Sequence, residues 1–81
     1  MRITIRLFAS LADRAGVARV DLVVPDIATV ADAAAILAVQ FPDLAKHLPR
    51  VAFAINLTTV QPHTALSEGD ELALLPPVSG G

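Results

Sequence analysis

A single long segment of this chain repeats its apolar residues at helical spacing, and much of the rest alternates instead. Val30, Ala33, Ala34, Leu37 and Phe41 recur every three or four residues and so line one face of a helix. Thr29 is placed to cap its N-terminus. Asp32 follows at capping-box spacing, with Asp where Glu is more usual. The alanine-rich stretch Ala31–Ala38 favours helix on propensity alone, and Pro42 ends it. One helix cannot bury its own apolar stripe, so the remaining segments must supply a second layer.

Those segments read as strands. In residues 2–9, Ile3, Ile5 and Leu7 point one way, and Arg2, Thr4, Arg6 and Phe8 the other, the period of a half-buried strand. Ser10 to Gly16 reads as a short helical turn closed by glycine. Val17 to Val24 is a second strand, with Val20, Leu22 and Val24 on one face and Pro25 stopping it. Residues 43–49 read as loop. Val51 to Ile55 is a short apolar strand, Asn56 a turn residue that tolerates the left-handed region, and Thr58 to Val60 a brief returning strand. Ser67-Glu68-Gly69-Asp70 is a turn signal. Glu71 to Leu75 closes the series, with Leu72 and Leu74 inward and Ala73 and Leu75 outward. There is no internal repeat and no linker. The order is that of an α+β fold, one main helix laid across a mixed sheet of about five strands, which is the β-grasp or ubiquitin-like pattern. It predicts a folded domain over residues 1–75 and a flexible C-terminal Gly-Gly tail over 76–81.

Size and charge exclude several functions. A chain of 81 residues buries only roughly 60% of the surface its unfolded form exposes, which leaves one small core and little room for an enclosed catalytic cavity. Hydrophobic residues make up 54% and charged residues 17%, so the chain is not of disordered composition. The net charge is −2, and the arginines are scattered without a basic cluster, so no nucleic-acid partner is expected. No apolar run approaches the ~18 residues of a membrane span, and Met1-Arg2-Ile3-Thr4 leads straight into a strand, unlike a signal peptide. No membrane association and a cytoplasmic location are the expectations. The sequence holds no Cys, which removes disulfides, zinc–thiolate sites and persulfide chemistry on the chain itself.

The remaining chemistry lies at the tail. Pro76-Pro77 hold the backbone extended and cannot rejoin the sheet. Six residues at ~3.3 Å each reach about 20 Å past the domain. Gly80 and Gly81 carry no side chain and can pass a channel too narrow for any other residue. The carboxylate of Gly81, with a pKa near ~3.5, is ionised at neutral pH and is a poor acyl donor until activated. The sequence has no phosphate-binding glycine loop and no dinucleotide fingerprint, so activation falls to a partner that uses ATP. The activated carbonyl could accept an amine, giving an isopeptide bond, or sulfide, giving a thiocarboxylate.

Leu66-Ser67-Glu68-Gly69-Asp70-Glu71 and Leu75-Pro76-Pro77-Val78-Ser79-Gly80-Gly81, with Ala54-Ile55-Asn56 and Leu7-Phe8-Ala9, resemble a known family. It is that of the ubiquitin-like sulfur carriers, and within it the small subunits of molybdopterin synthase (molybdopterin-converting factor subunit 1). The resemblance spans the chain in layout and is specific over the last sixteen or so residues. It implies that an adenylating enzyme converts the Gly81 carboxylate to an acyl-adenylate and that a sulfur-donating enzyme supplies the sulfur of a thiocarboxylate. It implies that Pro76, Pro77, Val78, Ser79 and Gly80 insert into the large subunit, where sulfur passes to a cyclic pterin precursor in molybdenum cofactor biosynthesis. The assembly implied is a heterotetramer. The small subunit is a sulfur donor within a sulfurtransferase complex, not catalytic alone. It binds no cofactor itself, and ATP is used by the activating partner. Phe8 and Leu75 should meet on the outer face of neighbouring strands and dock the partners, with Leu75 smaller than the aromatic often found there.

Other polar residues offer less. His47 and His63 have no acidic or Cys companion at ligand spacing and read as surface histidines. Asp70 and Glu71 are adjacent, so on a strand they cannot form a carboxylate pair. Ser10 and Ser67 lack a His partner, Gly69 and Asp70 make a turn, and Arg50 reads as a solvated arginine. A sulfur carrier for another pathway, such as thiamine thiazole synthesis, a ubiquitin-like protein modifier, and a binding module with an inert tail remain alternatives.

Overall fold

The computed structural model describes residues 1–77. Its sheet is organised around the two segments with the cleanest alternation. Strand β1 (Arg2–Leu7) buries Ile3, Ile5 and Leu7, and β5 (Glu71–Leu75) buries Leu72 and Leu74. The two run parallel, with Ile5 opposite Leu72 and Leu7 opposite Leu74, so their buried side chains form one continuous apolar face. β2 (Arg19–Val23) adds antiparallel to β1, and β3 (Ala52–Ile55) adds antiparallel to β5. β4 (Thr58–Val60) lies outside β3, giving the order β2-β1-β5-β3-β4. The mixed five-stranded sheet expected from the sequence is present, with β5, the strand that leads into the tail, at its centre.

Helix α2 (Val30–Gln40) covers the apolar face with Val30, Ala33, Ala34 and Leu37. Its first turn accounts for every orphan donor a helix start must satisfy. The Val30 and Ala31 amides donate to the Thr64 and Pro62 carbonyls at 2.9 and 2.8 Å. The Asp32 amide donates to Thr29 Oγ1 at 3.3 Å, and Asp32 Oδ2 accepts from the Thr29 amide at 2.9 Å, the reciprocal pair expected from Thr29 and Asp32. The loop after β4 is thereby fixed to the start of α2. Burial of Leu37, Leu72 and Leu74, each 0% exposed, stabilises the layer contact by about 1.5–3 kcal/mol per side chain.

Four segments differ from the sequence expectation. The first strand, expected over residues 2–9, stops at Leu7, because Ala9 already begins a helix. The second strand begins at Arg19 rather than Val17, because Gly16, with φ +79, closes helix α1 (Ala9–Ala15) and leaves Val17 exposed. Residues 43–49 are not open loop. Two proline-led 3₁₀ turns, Pro42–Leu44 and Leu48–Arg50, fold the connection back so that Leu44 is fully buried in the core. The hairpin between β3 and β4 places both Asn56 and Leu57 at positive φ, 48° and 74°, where only Asn56 was expected.

Candidate functional site: the root of the C-terminal tail

β5 delivers Leu75 to the edge of the domain, and the chain leaves there through Pro76, half-buried, and Pro77, exposed. The exit is braced on both sides. β1 pairs with β5 as far as Leu7 opposite Leu74, and β3 pairs with it as far as Ala52 opposite Leu75. Gly69, with φ +80, and Asp70 fix the other end: the Gly69 amide donates to the Arg2 carbonyl at 2.8 Å, and Asp70 Oδ2 accepts from the Ser67 amide at 2.8 Å. The tail therefore starts from a strand with little freedom to shift. Val78, Ser79, Gly80 and Gly81, the predicted inserting and reacting residues, lie outside the described residues.

Phe8 continues extended past the end of β1, with φ −121° and ψ 153°, and is 37% exposed. Its position one residue after Leu7, and that of Leu75 one residue after Leu74, put both on the outer face at the same end of two paired strands. Leu75 is half-buried. The Arg6 guanidinium carbon stands 5.3 Å from the centroid of the Phe8 ring. Arg6 also reaches Glu71 at 3.4 Å and Arg19 reaches it at 3.7 Å, so an apolar pair sits beside a charge cluster on the open face of the sheet. A cation over an aromatic face at this distance is attracted by the ring quadrupole, which orients Phe8 outward.

On the other side of the exit, Pro76 and Pro77 line a cleft of about 430 Å³, together with Ser10 and Arg14 of α1 and His47 and Arg50 of the folded-back connection. Sequence reasoning missed this grouping, since positions 14, 47 and 50 carry no spacing signal; only the two 3₁₀ turns, anchored by buried Leu44, bring them together. The reading of His47 as a surface histidine needs correction. It is half-buried, and its Nε2 is shut off from solvent with no hydrogen-bond partner among the described residues. Desolvation, then the charges of Arg14, Lys46 and Arg50, hold its imidazole below the usual histidine range. His63 is exposed as expected, and Arg50 is exposed and enters no ion pair among the described residues. No group of His, Cys, Asp and Glu able to hold a metal occurs among the described residues, and no helix there is long and apolar enough to cross a membrane.

Comparison with known proteins gives concordant results. The ThiS family matches over residues 5–81, which includes the tail. A molybdopterin synthase sulfur carrier subunit of Chlamydomonas reinhardtii is 35% identical, with all of both chains covered. The crystal structure of SAMP1 from Haloferax volcanii, a small archaeal modifier protein, has a TM-score of 0.91 at 35% identity, again with all of both chains covered. A chain from the complex of subunits 1 and 2 of the molybdopterin-converting factor of Helicobacter pylori has the same fold, with a TM-score of 0.71 at 24% identity and full coverage of both chains. With the ubiquitin-like β-grasp sheet, its central exit strand and a match that runs through the last glycine, this chain belongs to the ThiS family.

Proposed function

We propose that this chain is the sulfur carrier subunit of a molybdopterin synthase. The observation that carries the reading is end-to-end similarity to a molybdopterin synthase sulfur carrier subunit, within a family match that includes Gly80 and Gly81. In this reading the Gly81 carboxylate attacks the α-phosphorus of ATP held by an adenylating partner. Pyrophosphate leaves and an acyl-adenylate remains. A sulfur-donating enzyme delivers sulfide equivalents to the carbonyl carbon, AMP leaves, and the product is a C-terminal thiocarboxylate. The large subunit of molybdopterin synthase then receives the tail, and the sulfur is transferred to the cyclic pterin precursor, with the carboxylate regenerated by water. The chain contributes delivery: a rigid central strand, two prolines that aim the backbone away from the sheet, and glycines slim enough for a narrow channel. Phe8 and Leu75 form the docking patch, and exposed apolar surface beside the reacting segment suits a partner that must dock and release.

Intact mass after incubation with the adenylating enzyme, ATP and a sulfide source tests this. The full chain should gain the mass difference between sulfur and oxygen, and a chain lacking Gly81 should not. No gain with an active partner refutes the sulfur-carrier reading.

A second reading has its own support, since identity to the modifier protein SAMP1 is also 35% over the whole of both chains. A modifier would form an isopeptide bond between Gly81 and a lysine of a target. Glycine-glycine remnants on lysines of digested cell protein, lost when Gly81 is deleted, would establish that role.

A further inference from the structure

The basic side chains are distributed unevenly. Arg6 and Arg19 share Glu71 on the open sheet face, whereas Arg2, Arg14, Lys46 and Arg50 enter no ion pair among the described residues, and of these four Arg14 and Arg50 stand together in one cleft. Arg14, His47 and Arg50 line the cleft under Pro76 and Pro77, and the charges of Arg14, Lys46 and Arg50 all disfavour a proton on His47. The arginines are scattered in sequence, but the fold sets two of the six basic side chains, Arg14 and Arg50, with His47 in the cleft at the root of the tail of a chain of net charge −2. Gathering like charges costs free energy in the isolated domain, and so does a covered His47 nitrogen with no partner. The acidic residues closest in sequence, Asp13 and Asp43, are exposed and form no ion pair with this group.

We propose that this cleft receives acidic side chains from the mouth of the partner channel that takes up the tail. The inference rests on the tail-insertion reading above. Any protein that threads residues 78–81 must close over Pro76 and Pro77, and therefore over the cleft they line. Carboxylates at that mouth would pair with the two guanidiniums of Arg14 and Arg50 and give the His47 imidazole its missing partner. This basic contact lies on the opposite side of the exit from Phe8 and Leu75. The two contacts together would fix the rotation of the tail about its axis, which an apolar patch alone leaves loose. Charge pairs at such a rim act mainly on encounter rate and orientation, and they weaken with salt.

The test measures binding of the full chain to the adenylating enzyme and to the large subunit, by fluorescence anisotropy across a salt series. Arg14→Ala/Arg50→Ala should weaken binding about 10-fold or more at low salt and reduce the dependence of Kd on salt. Arg14→Lys/Arg50→Lys should retain most of the affinity. Phe8→Ala/Leu75→Ala should weaken binding while leaving the salt dependence intact. Unchanged Kd and salt slope in the Ala double variant, with its circular dichroism native, overturns the proposal. Tighter binding by that variant also overturns it, because it would mean that the cleft holds the tail's own carboxylate. A wild-type chain that gains no sulfur mass counts against the tail reading, whereas normal sulfur gain with an insensitive Ala double variant counts against the cleft alone.

Discussion

Leu57 is the residue at which the sequence and the backbone conflict most openly, and its replacement has a calculable outcome. Asn56 and Leu57 form the two-residue link between Ile55 and Thr58, both with positive φ, as a type I′ hairpin turn requires. In the left-handed region a β-carbon crowds the following carbonyl, which costs a non-glycine residue about 1–2 kcal/mol. The Leu57 side chain is 96% exposed, so burial returns nothing. Leu57→Gly removes the crowding, and the added freedom of glycine in the unfolded chain takes back about 0.4–1 kcal/mol. The net expectation is a stabilisation of about 0.5–1 kcal/mol. For a domain of this size that raises Tm by about 2–8 °C. Calorimetry and urea unfolding should agree, with a higher midpoint and an unchanged slope. Sulfur loading should not change, because the turn adjoins the start of β5, where the Asn56 amide donates to the Glu71 carbonyl, at the opposite end of that strand from Pro76. A Tm equal to or below wild type would refute the account of a strained turn.

Other expectations follow from the same structure. Leu74→Ala empties a fully buried position on the central strand and should cost about 2–5 kcal/mol, a large share of the roughly 4–12 kcal/mol available to a chain of this length; urea unfolding measures it. Thr29→Ala removes one half of the capping box and should cost about 1 kcal/mol by the same assay. His47 is held below its ordinary range in the folded chain. The unfolded chain therefore binds the proton more readily, and the stability this group contributes is present above about pH 6.5 and lost as pH falls through the folded value. His47→Gln should flatten that part of the stability–pH curve, measured between about pH 7.5 and 5.

Much of the fold was legible because its signals are local. Alternation in β1 and β5 needs only a period of two, and the Thr29–Asp32 cap is a four-residue pattern that the structure reproduces bond for bond. The hidden parts depend on tertiary contact. Leu44 sits in a polar-looking stretch and is drawn into the core by two proline-led turns that offer no periodicity. Leu57 is not a turn residue by type; the demand for a two-residue link between Ile55 and Thr58 overrides its preference.

The site divides the same way. Alternation turns Phe8 and Leu75 outward and the β-grasp order makes their strands neighbours, and the parallel register of those strands sets the two positions side by side. The basic cleft could not, because its members come from α1 and from the connection after α2, segments that meet only once Leu44 is buried and the chain turns back on itself. Strand periodicity therefore reports the apolar half of the proposed docking surface and is blind to the charged half. The two halves differ physically in a way that mutation can separate. Losing apolar area should weaken binding at every ionic strength, whereas losing cations should weaken it only where the ions in solution do not already screen them. Under the proposed function, a carrier that engages an activating enzyme, releases, and then engages a synthase would gain from that division, since charge speeds encounter while a small apolar patch favours release.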